Sequence, residues 1–385
     1  MINPQVSALN SSSTLKLTAL TRKLKKEGKD VVNFTAGEPD FDTPDFIKKA
    51  AKEAIDAGFT KYTPSAGALE LREAIVKKLK EDNGLTYTAN DIIVTSGAKY
   101  AIYIAMLTAL DQGGEVILPE PYWVSYPEMI CLCHGKVKFL PARAETGFKI
   151  NIKDLEKAVT AKTRMLVMNY PCNPTGVTYT RGELLPIAQL AVKKNFYVLS
   201  DEIYEKLIYD GLKHISFAAL PDTHKITLTV NGFSKSSAMT GWRLGYLAGP
   251  TEFIAQASKV ADHTTSCASS ISQKAGLAAL TDKSWQEAMR KEFEKRRNFL
   301  FKGLSACGEK LTPFNPQGAF YMFCDIRKTG LKSGQFCAQL LEKYLVSCIP
   351  ADSFGAEGYI RLSFATSMED IEKGVTRIRK FLGEL

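Results

Sequence analysis

Met165-Leu166-Val167-Met168, a helical pattern from Glu183 to Lys194, and Phe196-Tyr197-Val198-Leu199 together decide the fold class. Both flanks are apolar runs of strand length, which fits strands buried on both faces, and the segment between them has the length of a crossover helix. Strand, helix and strand in that order build a parallel sheet packed between helix layers. Similar runs occur at Ile92-Ile93-Val94, Glu115-Val116-Ile117-Leu118 and Ile226-Thr227-Leu228-Thr229-Val230, most of them separated by helical patterns such as Tyr100 to Leu110. The reading is α/β, with a mostly parallel sheet sandwiched by helices.

Nearer the N-terminus, Thr43-Pro44 reads as a cap followed by a first-turn proline. Ile47, Ala50, Ala54 and Ile55 then form one apolar face, and Gly58 stops the helix. Leu71, Ile75 and Leu79 mark a second amphipathic helix. After about Ser284 the pattern changes to a long charged helix from Trp285 to about Ser305. The runs Phe320 to Phe323, Val346 to Ile349 and Tyr359 to Ser363 and a last helix from Met368 follow it. This predicts a second, smaller α+β unit joined through the long helix, because no Gly/Ser linker separates the two.

The 385 residues carry 50 Lys+Arg and 41 Asp+Glu, a net +9, with acids interleaved among the bases. Even the densest run, Arg22-Lys23-Leu24-Lys25-Lys26, is followed at once by Glu27 and reads as a solvated helix face, so no nucleic-acid partner is expected. The longest apolar stretch, Ala101 to Leu110, is half a membrane span, and Met1 to Leu15 has neither the basic nor the apolar part of a secretory signal. Eight cysteines without redox or zinc spacing fit a reduced, cytoplasmic setting. His134, His214, His224 and His263 show no metal spacing, and dinucleotide, P-loop and nucleophile-elbow motifs are missing.

What remains is a set of polar groups just past the predicted strands, where open α/β sheets bind ligands. Asp201 and Tyr204 follow one strand. Asn231-Gly232-Phe233-Ser234-Lys235-Ser236-Ser237 follows another, with Arg243 eight residues beyond the lysine. Thr95-Ser96-Gly97-Ala98-Lys99 leads into a helix whose first N–H groups form a phosphate seat, and Asn169-Tyr170-Pro171-Cys172-Asn173-Pro174-Thr175-Gly176 is a proline-punctuated turn. A lysine past a buried strand is suited to a depressed pKa and Schiff-base chemistry.

These four loops resemble the class I aminotransferases, pyridoxal 5′-phosphate enzymes of fold type I, and most closely the bacterial-type aspartate aminotransferases. The resemblance runs from Thr35-Ala36-Gly37-Glu38-Pro39-Asp40-Phe41 to Tyr359-Ile360-Arg361-Leu362-Ser363 and beyond. It implies an arm with part of the small unit over 1–35, a large cofactor-binding unit over 36–284 and a small unit over 285–385. It also implies that Lys235 carries the cofactor and moves the Cα proton, that Asp201 pairs with the ring nitrogen, and that Tyr204 and Asn173 bond the phenolic oxygen. Trp123 is implied to stack on the ring, and Gly97, Ala98, Lys99, Ser234 and Arg243 to seat the phosphate. Tyr62 matches a residue that reaches the phosphate of the neighbouring subunit, which implies a homodimer.

Arg361 is implied to clamp the substrate α-carboxylate beside Gly37 and Asn173, while Lys99 and Trp123 face the rest of the substrate. That favours an amino dicarboxylate and the exchange of amino groups between aspartate and 2-oxoglutarate. Aromatic, alanine or prephenate transamination, or β-elimination, is the alternative. Many members carry Lys-Pro-Ser-Ala-Thr where this chain reads Asn10-Ser11-Ser12-Ser13-Thr14, which counts against prephenate.

Overall fold

A computed structural model of the chain describes residues 2, 4–7, 9, 10 and 13–385, without the side chains of 4, 5 and 13–16, so Ser11 to Thr14 of the departing motif lie outside the described side chains. Seven strands form the main sheet: β1 (Ile92–Thr95), β2 (Glu115–Glu120), β3 (Lys136–Pro141), β4 (Thr163–Asn169), β5 (Tyr197–Asp201), β6 (Thr227–Gly232) and β7 (Gly245–Ala248), in the order β1-β7-β6-β5-β4-β2-β3. All run parallel except β7, which is antiparallel to both neighbours.

Alternation along the strands gives each face its own core. Met165 and Val167 pack on one side with Ala101, Ile102 and Ala105 of the helix Ala98–Ala109. Leu166 and Met168 pack on the other with Leu184, Ile187 and Ala191 of the helix Arg181–Lys194. That second helix starts where Thr180 and Glu183 cap each other reciprocally and stops at Asn195 in the left-handed conformation.

Two strands of this sheet are missing from the sequence reading, and each has a physical reason. β3 is an edge strand with lysines at both outer positions of Lys136-Val137-Lys138, which masks its apolar register. β7 is short and rich in small residues because its Gly245 lies against the backbone of Gly97 and Ala98. The early helix spans Asp45–Asp56 and corrects two details of that reading. Ala51, rather than Ala50 or Ile55, joins Ile47 and Ala54 in the core, with Ile55 50% exposed. Thr43 caps nothing; its hydroxyl donates to the Ala238 carbonyl at 2.6 Å and accepts from Trp242 Nε1 at 3.0 Å.

The C-terminal part holds a four-stranded antiparallel sheet of β8 (Thr312–Phe314), β9 (Tyr321–Asp325), β10 (Ile349–Pro350) and β11 (Tyr359–Ser363), ordered β10-β11-β9-β8. The long helix Ser284–Ser305 and the last helix Met368–Glu384 pack on it through Phe293, Leu300, Ile378 and Phe381. Val32–Asn33 pairs in parallel with Val346–Ser347, which ties the N-terminal segment to this part. No described helix is long and apolar enough to cross a membrane, and all eight cysteines are free thiols.

Candidate active site

Because β1, β4, β5 and β6 run in one direction, their C-terminal ends share one edge of the sheet, and Asn169 of β4 stands level with Asp201 of β5. Beyond that edge lies a cavity of about 800 Å³. Gly37, Ala98, Lys99, Trp123, Asn173, Asp201, Tyr204, Ser234, Lys235, Arg243 and Arg361 all line it. Segments scattered from residue 37 to residue 361 therefore meet at one site. Gly97 stands just behind the wall, where a Cβ would come 2.6 Å from Arg243 Nη2. Tyr62 is 92% exposed and contributes nothing to the cavity of its own chain.

Asp201 is 4% exposed, and its hydrogen-bond partners are neutral: Tyr126 Oη donates to Oδ2 at 2.7 Å and the Ile203 N–H to Oδ1 at 3.2 Å. Burial pushes its carboxyl up to about 6 against the pull of these donors. An acid held this way gains from a cation placed on it. Lys235, on the short helix Phe233–Ser236 after β6, donates from Nζ to the Gly37 carbonyl. Burial, opposed by the Glu38 carboxylate and assisted by Arg243, draws its amine down to about 8, so about a tenth of it is an unprotonated nucleophile at pH 7, far more than for an ordinary lysine.

Arg361 sits in β11, is 2% exposed and has neutral partners too. Nη1 donates to Asn173 Oδ1 at 2.8 Å, Nη2 to the Thr35 carbonyl at 3.2 Å, and the guanidinium lies 4.2 Å from the Tyr321 ring centroid. Its Nε has no hydrogen-bond partner. A buried guanidinium without an acid is a carboxylate receptor in waiting. At the opposite end, Ser234 and Arg243 face the first turn of the helix that begins at Ala98, a corner suited to a doubly charged anion. Arg243 holds a positive φ of 51° and donates to the Thr240 carbonyl at 2.8 Å.

The fold also recruits residues that sequence reasoning missed. Tyr126 and Asn169 support Asp201, Asn169 Nδ2 donating to its backbone carbonyl at 3.1 Å, and Tyr321 Oη lies 2.9 Å from Tyr204 Oη. Arg22, Lys23 and Lys26 are exposed, as the sequence reading of a solvated face expects, and they also line the cavity. His214 has carboxylates beside it after all, since folding brings Glu202 and Glu205 close. Both acids already have protein partners: Glu202 accepts from Ser200, Ser216 and the Phe217 N–H, and Glu205 pairs with Lys78.

The family described as aminotransferase class I and II matches residues 29–378. This chain belongs to that family. An aspartate aminotransferase of Bacillus sp. (strain YM-2) is 43% identical over 98% of both chains. A probable aspartate/prephenate aminotransferase of Aquifex aeolicus is 42% identical over 99% of this chain and 98% of its own. The solved structure of the Thermus thermophilus aspartate aminotransferase with maleate superposes with a TM-score of 0.95 at 41% identity, covering 99% of each chain. As an aminotransferase of this family, the chain has the fold type I architecture expected of the α/β reading.

Proposed function

We propose that this aminotransferase moves the amino group of L-aspartate to 2-oxoglutarate, giving oxaloacetate and L-glutamate, with pyridoxal 5′-phosphate as its cofactor. One observation carries the reading: a buried acid with neutral partners, an amine near neutrality and a buried guanidinium with neutral partners converge on one cavity. The cofactor fits this set, because its ring nitrogen answers Asp201, its aldehyde answers Lys235, and its phosphate answers Ser234, Arg243 and the loop of Gly97, Ala98 and Lys99. The close approach of Gly97 to Arg243 leaves no room for a side chain between that loop and the guanidinium.

When bound, the cofactor supplies a carbonyl for the amino group and an electron-withdrawing ring beside the substrate Cα. Asp201 holds a proton on the ring nitrogen, and Tyr126 and the Ile203 N–H hold Asp201 in place. Trp123 would cover the ring, and Tyr204 and Asn173 would hold its phenolic oxygen. Arg361 binds the α-carboxylate in its fork, its angle fixed by Asn173 and Thr35 with the Gly37 backbone adjacent. Lys235 Nζ then takes the proton from the substrate Cα, a task for which a pKa of about 8 is well matched. Lys99, its Nζ 4.9 Å from the Trp123 ring centroid, meets the distal carboxylate.

Maleate in the Thermus structure is a dicarboxylate, in keeping with an amino dicarboxylate substrate here. The exposed Tyr62 fits a cytoplasmic homodimer in which it reaches the partner subunit's phosphate site, with residues 36–284 holding the cofactor and 1–35 and 285–385 forming the smaller unit. The testing assay couples oxaloacetate release from aspartate and 2-oxoglutarate to malate dehydrogenase. Turnover that requires both substrates is expected. Turnover with prephenate or an aromatic keto acid and none with 2-oxoglutarate would move the reading to the alternative.

A further inference from the structure

The cavity holds more positive charge than the scheme above uses. Arg243, Arg361, Lys99 and Lys235 have tasks there, yet Arg22, Lys23 and Lys26 line it as well, all from the helix Ser13–Lys26. The carboxylates of the lining are Asp201 and Glu38, and the proposed scheme gives Asp201 to the cofactor's ring nitrogen. Of these three cations Arg22 pairs with Glu38, while Lys23 pairs with Glu27.

The helix that carries them is tied to the substrate clamp. Thr18 Oγ1 lies 3.2 Å from Thr35 Oγ1, and the Thr35 carbonyl accepts from Arg361 Nη2. The buried Thr21 adds an anchor through Ser347 Oγ at 2.6 Å. Arg22 is four residues after Thr18, so it lies on the same helix face, about 6 Å further along the axis. Its side chain lines the same cavity as Arg361 and Lys99.

Arg22 is only loosely held there. Nη2 reaches Glu38 Oε1 at 3.4 Å, with side chains 69% and 49% exposed, the kind of ion pair that contributes little. Glu38 is secured independently, since Thr240 Oγ1 donates to Oε2 at 2.8 Å. Arg22 can exchange one carboxylate for another while Glu38 keeps a partner.

We propose that Arg22 is a specificity-determining residue that leaves Glu38 to bind the distal carboxylate of the amino or oxo dicarboxylate, together with Lys99. This rests on the proposed transamination, and it adds a second cation for the distal carboxylate and a carboxylate, Glu38, that competes with substrate for it. A donor without a distal acid gains nothing from Arg22.

The experiment measures the half-reaction of the holoenzyme with aspartate and with alanine, and the dissociation constant of maleate by titration calorimetry, for the native protein, Arg22→Gln, Arg22→Lys and Glu38→Gln. For Arg22→Gln the half-saturating aspartate concentration and the maleate constant rise about tenfold, as expected for a lost charge-assisted contact. The alanine reaction keeps its concentration dependence. Arg22→Lys recovers most of the loss, and Glu38→Gln tightens aspartate and maleate relative to alanine. Equal losses for aspartate and alanine would assign Arg22 a structural role, and unchanged aspartate and maleate constants would make it a solvated surface charge; either overturns the proposal. A native protein that turns over neither donor would instead defeat the transamination reading, and the maleate constants still report on Arg22.

Discussion

Consider Asp201→Asn in the cofactor-free protein. Asp201 is an acid whose folded-state pKa of about 6 exceeds its ordinary 3.8, so between those values the folded chain holds a proton that the unfolded chain has released. Its contribution is therefore most favourable below about 3.8 and is lost as pH rises through 6. Carrying the charge at neutral pH costs about 3 kcal/mol, the free-energy equivalent of that displacement. Asparagine removes the charge yet keeps both contacts, because its oxygen can accept from the Ile203 N–H while its amide donates to Tyr126 Oη. Urea denaturation of the cofactor-free proteins from pH 4.5 to pH 8 is the assay. The variant gains stability over the native chain by about 2–3 kcal/mol at pH 7.5, and the two converge toward pH 4.5. Other buried groups such as Glu205, which Lys78 and Lys206 hold down at about 2 against the opposing effect of burial, cancel in the difference. Adding pyridoxal phosphate reverses the order, since only the carboxylate gains a cation. A variant less stable than the native chain at pH 7.5, or a difference independent of pH, would refute the reasoning.

Tyr126→Phe removes a donor that lowers the Asp201 pKa, so that pKa climbs further above about 6 and the acid limb of the activity profile moves to higher pH; pH–rate measurements check this. Arg361→Lys gives up the fork that Asn173 and Thr35 orient, and kcat/KM falls about 100-fold for every amino donor, or about 3 kcal/mol, in steady-state assays. Gly97→Ala places a methyl 2.6 Å from Arg243 Nη2 at a φ of 87°, and cofactor affinity in a fluorescence titration drops at least about tenfold.

The sequence reveals the sheet wherever strands are buried on both faces, as at Met165 to Met168 and Phe196 to Leu199, because composition alone marks such strands. It hides Lys136 to Pro141, whose two lysines at the sheet edge break the apolar run, and Gly245 to Ala248, a short buried strand that opens on a glycine set by a close backbone approach. The site follows the same division. Asp201, Lys235 and the Gly97 loop follow directly from strand ends, so local order announces them. Tyr126 lies 75 residues before Asp201 in sequence and Tyr321 lies 117 after Tyr204, and only the folded chain pairs them. The run Arg22 to Lys26 resembles any solvated helix face. Its role depends on the threonines Thr18 and Thr21 that dock the helix over the cavity, a contact that no periodicity encodes.

The central claim is that Lys235 and Asp201 hold a pyridoxal cofactor that accepts an amino group from a dicarboxylic amino acid. An absorbance spectrum of the purified protein, saturated with pyridoxal phosphate and then given aspartate alone, tests it most directly, with Lys235→Ala as the control. The account predicts a visible band in the native protein, absent from the control, that bleaches as oxaloacetate is released. No band after saturation, or a band that aspartate leaves unchanged, would contradict it.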